Sequence, residues 1–98
     1  MAARRFLVSG RVQGVFYRNW TVGEARALGL AGWVRNLRSG EVEILAIGPE
    51  QAIETLAERC RTGPPAAIVD HVRVEPAEEE GLTTFEKRHQ SRYRAPDC

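Results

Sequence analysis

The chain has 98 residues, of which 43% are hydrophobic, so it is long enough for one domain with its own core and too short for two. Fourteen basic and thirteen acidic side chains leave a formal charge of +1, which gives no overall field that would recruit nucleic acid or an anionic membrane. Apolar runs extend over only a few residues, far below the roughly 20 that cross a bilayer. The two cysteines form no disulfide framework and no export signal is evident, so we expect a cytoplasmic protein.

The first element in chain order is a strand, followed by a turn and a helix. Residues 4–12 alternate apolar and polar side chains in a loose period of two, which predicts the strand. The chain then turns through residues 13–18. The helix begins either at a capping box that starts at Thr21 or earlier, near Tyr17, and a glycine ends it. Either start places Arg18 at or just before a helix N-terminus, where free N–H groups favour an anion.

The middle of the chain predicts a hairpin and a second helix. Residues 30–36 and 41–48 have strand character and are joined by a short connection that ends in glycine. Pro49 suits the first turn of the helix that follows, and an apolar stripe runs along that helix. Cys60 lies on the stripe, which predicts a core thiol and not a nucleophile.

The final third of the chain completes a recognisable order of elements. Residues 67–75 predict a fourth strand, residues 78–80 a solvated acidic loop, and residues 83–89 a possible short fifth strand. The order is that of a ferredoxin-like βαββαβ sandwich, an α+β fold with an antiparallel sheet and two helices on one face. We expect a single domain over residues 1–92 and a polar C-terminal tail over residues 93–98.

The stretch GRVQGVFYR, residues 10–18, has the composition of a small anion-binding loop. Its glycines let main-chain N–H groups turn toward a ligand, and Arg18 adds a forked, permanently charged donor at the end of the loop. A second segment, GWVRN at residues 32–36, reads as the end of a strand. Taken alone, Asn36 is most simply a turn residue. The sequence shows no metal-ligand spacing and no nucleophile beside an obvious base near the loop, so we expect neither a metal nor a cofactor.

Together these two segments resemble the acylphosphatase family, in which a strand ending in GRVQGV and aromatic residues leads to an arginine, and a GWV-basic-Asn strand end lies beside it. The resemblance extends from Arg4 to Arg88; Ser39-Gly40 stands where many relatives carry Asp-Gly. It implies a hydrolase that cleaves the carboxyl-phosphate anhydride bond of small acyl phosphates, giving a carboxylate and inorganic phosphate. We expect a metal-independent enzyme, active as a monomer, with no nucleic-acid or membrane partner.

The resemblance assigns catalytic roles to Arg18 and Asn36. Arg18 clamps the phosphoryl oxygens, and Asn36 orients the attacking water without changing its own protonation state. The resemblance also implies that a substrate phosphate oxygen accepts the water's proton, which would account for the missing general base. The expected phosphate-binding set also includes five main-chain N–H groups, and inorganic phosphate or sulfate should occupy the same site. The set is Gln13, Gly14, Val15, Phe16, Tyr17 and Arg18.

Other polar and aromatic residues receive structural interpretations. The aromatic side chains of Phe16, Tyr17 and Trp33 are predicted to lie in the core or in the wall of the loop. Both histidines are expected to be exposed or structural. Three strand carboxylates are predicted to be solvated: Glu41, Glu43 and Asp70.

Three alternatives compete with the free-standing enzyme. One is a non-catalytic relative that only binds an anion or a partner protein. Another is an RNA-binding module, because RNA recognition domains share this order of elements and use a basic-Gly-aromatic string on a central strand. Here the glycines and aromatics cluster at a strand-to-helix turn, which disfavours RNA. The third is a domain detached from a larger carbamoyl-handling protein. The start at Met1 and the end soon after the last strand lead us to expect the free-standing enzyme instead.

Overall fold

Two helices and five strands account for most of residues 1–88, the part of the chain that the computed structural model describes. In chain order they are β1 (Ala2–Arg11), α1 (Tyr17–Ala27), β2 (Ala31–Asn36), β3 (Val42–Gly48), α2 (Glu50–Cys60), β4 (Ile68–Pro76) and β5 (Phe85–Lys87). The predicted tail at 93–98, and His89 at the end of the predicted fifth strand, lie outside the described residues. The domain boundary at residue 92 therefore stays a prediction.

The strands form one sheet in the order β4-β1-β3-β2-β5. Antiparallel ladders join β1 to β3, β1 to β4 and β2 to β3. β5 pairs with β2 in parallel, with Gly32 opposite Phe85, so the expectation of a wholly antiparallel sheet is wrong at this edge. The cause is the connection at residues 77–84, which passes from the β4 edge to the opposite edge. After that crossing β5 runs opposite to β4 and therefore in the direction of β2.

The main core lies between the sheet and the two helices, as the ferredoxin-like α+β prediction requires. Alternate residues of the strands pack against the apolar stripes of α1 and α2. Burial of each large apolar side chain adds about 1.5–3 kcal/mol to the free energy of unfolding. The side chains with the least exposure include Phe6, Val8, Val34, Ile44, Ile53, Leu56 and Phe85. Cys60 is fully buried among them, as predicted.

The opposite face of the sheet is covered by the same 77–84 connection. Ala77 and Leu82 pack against a second apolar cluster that includes Trp33, whose indole Nε1 donates to Glu80 Oε1 at 3.3 Å. Glu43 on this face is only 5% exposed and pairs with Arg35 Nε at 2.7 Å and with an Nη of Arg5 at 3.4 Å. The prediction of a solvated Glu43 is wrong because β3 is the central strand and both of its faces are covered.

Helix α1 starts at Tyr17, the earlier of the two predicted starts. Thr21 lies one turn inside the helix, and its hydroxyl donates to the Tyr17 carbonyl at 2.8 Å instead of capping the N-terminus. Helix α2 follows Pro49, which occupies the N-cap position in an extended conformation. Within residues 1–88 neither helix has the length and apolarity to cross a membrane.

Candidate active site

A cavity of about 280 Å³ opens where β1 ends and α1 begins. The carboxyl ends of β1 and β2 lie at the same end of the sheet because both strands run antiparallel to β3 between them. Val42 of β3 is the register partner of both Val8 and Asn36, which places these two residues at one level across the sheet. The cavity is lined by Val12, Gly14, Phe16, Tyr17, Arg18, Asn19, Asn36 and Lys87.

The loop between β1 and α1 has two residues with left-handed backbone conformation. Gly14 has φ 75° and Phe16 has φ 65°, a conformation that costs a non-glycine residue about 1–2 kcal/mol. Across the described range, none of the N–H groups of residues 13–17 donates to a main-chain carbonyl or to a side chain. The loop therefore presents five main-chain N–H groups at the N-terminus of α1, and this arrangement favours the binding of an anion.

The Gln13 side chain ties this loop to the β2–β3 connection. Its Nε2 donates to the Leu37 carbonyl at 2.7 Å and to the Glu41 carbonyl at 2.9 Å. Leu37 directly follows Asn36, so the two hydrogen bonds fix the end of β2 beside the loop. Sequence reasoning assigned only the N–H group of Gln13 to the site and did not find this role.

Arg18 lies in the first turn of α1 and is half-buried. One of its terminal nitrogens donates to the Arg88 carbonyl at 2.8 Å. A guanidinium has five N–H donors, so one such bond leaves four for a ligand. Among residues 1–88 no carboxylate lies within ion-pair distance of Arg18.

Asn36 presents an unsatisfied acceptor at the end of β2. Its Oδ1 is buried and has no hydrogen-bond partner within the described part of the chain. A buried polar atom without a partner costs about 1–3 kcal/mol, and such atoms in a native fold call for an explanation in function. An acceptor beside an anion-binding loop is suited to hold a water by one of its hydrogens.

The three aromatic residues singled out from the sequence occupy different places. The Tyr17 ring is buried, packs against Trp20 with centroids 5.4 Å apart, and its hydroxyl donates to the Cys60 carbonyl at 2.6 Å. Phe16 lines the cavity although its side chain is 78% exposed. Trp33 is buried in the second apolar cluster, on the face of the sheet away from the cavity.

Neither ionisable group below the loop is suited to acid–base chemistry at neutral pH. Burial is the largest cause that raises the pKa of Tyr17 far above its ordinary value. Burial also raises the pKa of Cys60 to about 12, although the hydrogen bond to Tyr17 partly opposes it. Both groups therefore stay neutral at physiological pH, which agrees with the prediction that Cys60 is a core residue.

The lining of the cavity is cationic. It includes Arg18 and Lys87, and none of the lining residues within the described part of the chain carries a carboxylate. A second cavity, of about 230 Å³ between β1 and α2, differs in this respect because Arg4 in its wall pairs with Glu50 at 3.0 Å. No cluster of three or more histidine, cysteine or acidic side chains that could hold a metal ion occurs in residues 1–88.

Three lining residues were not predicted from the sequence: Val12, Asn19 and Lys87. Asn19 follows Arg18 in the first turn of α1, and this adjacency is a signal that the sequence did contain. Lys87 comes to the cavity only because β5 pairs in parallel with β2, which places it opposite Val34. No local sequence pattern indicates that pairing.

Comparison with known proteins gives a consistent result. The family model described as Acylphosphatase matches residues 4–87. The acylphosphatase of Rhodospirillum rubrum is 59% identical over 69 residues, which cover 70% of this chain and 76% of that protein. The crystal structure of acylphosphatase from Bacillus subtilis superposes with a TM-score of 0.87 at 40% identity, over 90% of this chain and 99% of that one. The structure of full-length HypF in the phosphate- and nucleotide-bound form matches with a TM-score of 0.83 at 28% identity, over 92% of this chain and 12% of that protein.

Proposed function

The chain belongs to the acylphosphatase family and hydrolyses acyl phosphates, and we propose that it does so by binding the phosphoryl group in the 13–18 loop while Asn36 orients the attacking water. The observation that carries the proposal is the buried Oδ1 of Asn36, which has no hydrogen-bond partner among residues 1–88 and belongs to a residue that lines the same cavity as Arg18. Within the same range the N–H groups of the loop also lack acceptors, which supports a site for an anion and a water.

Substrate binding uses charge and main-chain donors. The three non-bridging oxygens of the phosphoryl group accept hydrogen bonds from the N–H groups of Gln13, Gly14, Val15, Phe16 and Tyr17, and from Arg18. The positive end of the α1 dipole adds to this attraction. Because these donors are held by the fold before the substrate arrives, they stabilise the charge of the transition state without reorganising.

Hydrolysis needs only a positioned water. Asn36 Oδ1 accepts one hydrogen of the water and holds its oxygen in line with the phosphorus. The water oxygen forms the new P–O bond, the bond from phosphorus to the carboxyl oxygen breaks, and the electron pair leaves with the carboxylate. A phosphoryl oxygen takes the proton of the water. No acid is required, because carboxylic acids have pKa values of about 4 and the carboxylate leaves unprotonated.

We also propose that the reaction is metal-independent. Support comes from the chemistry of the lining, since guanidinium, ammonium and N–H groups bind anions and repel cations. The expected monomeric state and cytoplasmic location stay predictions. RNA binding is not favoured, since the aromatic residues of the described strands, Phe6, Trp33 and Phe85, are all buried and offer no row of exposed rings.

The experiment that tests this mechanism is hydrolysis of benzoyl phosphate in ¹⁸O-labelled water with a metal chelator present. Attack on phosphorus places the label in inorganic phosphate, and chelator leaves the rate unchanged. Label in benzoate would show attack on the carbonyl carbon and contradict the roles of the loop and Asn36. Phosphate binding without turnover would favour the non-catalytic alternative.

A further inference from the structure

Lys87 is the only lysine in the chain, where the other thirteen basic residues are arginine. It lines the same cavity as Arg18 and Asn36. The side-chain alternation of β5 explains this placement. Phe85 is buried in the core on the helix side, and Lys87, two residues later, lies on that same face. Arg88 lies on the other face, with its guanidinium carbon 5.1 Å from the centre of the Trp33 ring.

Among residues 1–88, no acidic side chain compensates the charge of Lys87. In the described residues no carboxylate lies within 4.0 Å of its ammonium group, and none lines the cavity. Some arginines of the described chain are paired, such as Arg5 and Arg35, which share Glu43. Exposed arginines such as Arg38 and Arg61 lack a carboxylate partner among residues 1–88, so it is the position of Lys87 in the cavity that matters. The cavity thus contains two cations, Arg18 and Lys87, that a dianionic ligand would neutralise.

The size of the cavity leaves room for Lys87 to contact a ligand that occupies the loop. At about 30 Å³ per water molecule, a volume of about 280 Å³ corresponds to about nine waters. A phosphate group, with five heavy atoms, is smaller than that space. Lys87 and the loop therefore belong to one compartment and not to two separate sites.

We infer that Lys87 is a second anion-binding residue of this site, which attracts the dianionic phosphoryl group of the substrate and inorganic phosphate alike. This inference rests on the proposed function for the identity of the ligand. Because the ammonium group acts on total charge, it stabilises ground state and transition state equally, so its loss raises KM and leaves kcat nearly unchanged. As the lysine is exposed, we expect a change of about fivefold and not of several hundredfold.

The first test uses the single lysine as its own probe. Reductive methylation labels two amines in the purified wild-type protein, Lys87 and the N-terminal amine, and mass spectrometry separates them. Inorganic phosphate should slow labelling of Lys87 at least threefold, with a half-maximal effect at the phosphate concentration that half-inhibits hydrolysis. The N-terminal amine is the internal control. Equal labelling of Lys87 with and without saturating phosphate would overturn the inference.

The second test is kinetic. Lys87→Gln should raise KM for benzoyl phosphate and the inhibition constant of phosphate by the same factor, about fivefold, and Lys87→Arg should restore both. Added salt at 0.5 M should shrink the difference from wild type, because it screens the lost charge. The matched control is Arg73→Gln, which removes one exposed charge on β4 at the opposite edge of the sheet. Unchanged constants in Lys87→Gln would refute the role.

The two tests separate this inference from the proposed function. If wild-type protein fails to hydrolyse benzoyl phosphate while phosphate still protects Lys87, the proposed function fails and Lys87 remains an anion-binding residue. If hydrolysis is normal while Lys87 is neither protected nor required, the inference about Lys87 alone is wrong.

Discussion

Replacing Asn36 by alanine should slow turnover by about 10²–10³ while substrate binding is largely retained. The loss corresponds to about 2.7–4 kcal/mol of transition-state stabilisation, the usual effect of removing one positioned polar group from an active site. The groups proposed to bind the phosphoryl group are those of the 13–18 loop and Lys87, and they do not include Asn36. KM and the inhibition constant of phosphate should therefore change by less than about threefold.

The same substitution should lower turnover but should not lower the stability of the protein. Asn36 Oδ1 has no partner among residues 1–88, and a buried acceptor in that state costs about 1–3 kcal/mol. Alanine removes this cost and loses the packing of a short side chain. The free energy of unfolding should stay the same or rise by about 1 kcal/mol, so a slower enzyme should be at least as stable as wild type.

The assay for Asn36→Ala combines benzoyl phosphate kinetics, phosphate inhibition and urea unfolding on one preparation. A wild-type kcat would refute the water-orienting role. A loss of phosphate affinity that parallels the loss of turnover would show that Asn36 binds the phosphoryl group instead. A fall in stability of 2 kcal/mol or more, taken as the lower limit of structural damage, would mean that the acceptor has a partner in solution.

Three further predictions concern the loop and the core beneath it. Arg18→Ala should abolish both turnover and inhibition by phosphate, and a variant with wild-type turnover would contradict the assignment. Its free energy of unfolding in urea should fall by only about 1 kcal/mol, because the substitution removes one hydrogen bond, to the Arg88 carbonyl. Phe16→Gly should raise the free energy of unfolding by up to about 1 kcal/mol, because it relieves the strain of a left-handed backbone conformation and removes a side chain that is 78% exposed. If the free energy of unfolding in urea instead fell by more than about 1 kcal/mol, the Phe16 ring would have to pack against the protein in solution. Burial raises the pKa of Cys60 from 9.0 to about 12. The stability that this thiol contributes is therefore present below pH 9 and is lost as the pH rises toward 12. Rapid reaction of the native protein with a thiol reagent at pH 8, corrected for any reaction at Cys98, would argue against the burial of Cys60.

Much of the fold was predictable because single elements carry strong local patterns. The apolar stripe of α2, with Ile53 and Leu56 inside and charged residues outside, admits one orientation against the sheet. The hairpin of β2 and β3 follows from its short connection. The start of α1 was ambiguous, since Thr21 satisfies a capping box in sequence, and only its hydrogen bond to the Tyr17 carbonyl shows that it lies inside the helix.

The direction of β5 and the burial of Glu43 were beyond local patterns. The direction of β5 depends on the 77–84 connection, which carries the chain to the far edge of the sheet. The burial of Glu43 depends on Arg5 and Arg35, which come beside it through the pairing of β3 with β1 and β2. No local pattern indicates either arrangement, so the expected antiparallel sheet and the expected solvated glutamate were wrong.

The candidate site divides in the same way. Arg18, Asn36 and the loop amides could be singled out from the two segments at residues 10–18 and 32–36. The cavity is lined by Arg18, Asn36 and three residues of the loop, whereas Gln13 and Val15 are not among its lining residues. Lys87 could not be found, since it reaches the cavity through the parallel pairing of β5 with β2. Gln13 was assigned through its N–H group alone, because a side-chain bond to the Leu37 carbonyl depends on how two connections meet in space.

Hydrolysis that depends on Arg18 and not on a metal is tested most directly by steady-state kinetics of benzoyl phosphate with wild type and Arg18→Ala, with chelator present throughout. We expect rapid turnover by wild type, inhibited competitively by phosphate, and a rate for Arg18→Ala that does not exceed the uncatalysed reaction. Equal rates for the two proteins, or a wild-type rate that the chelator abolishes, would contradict this expectation.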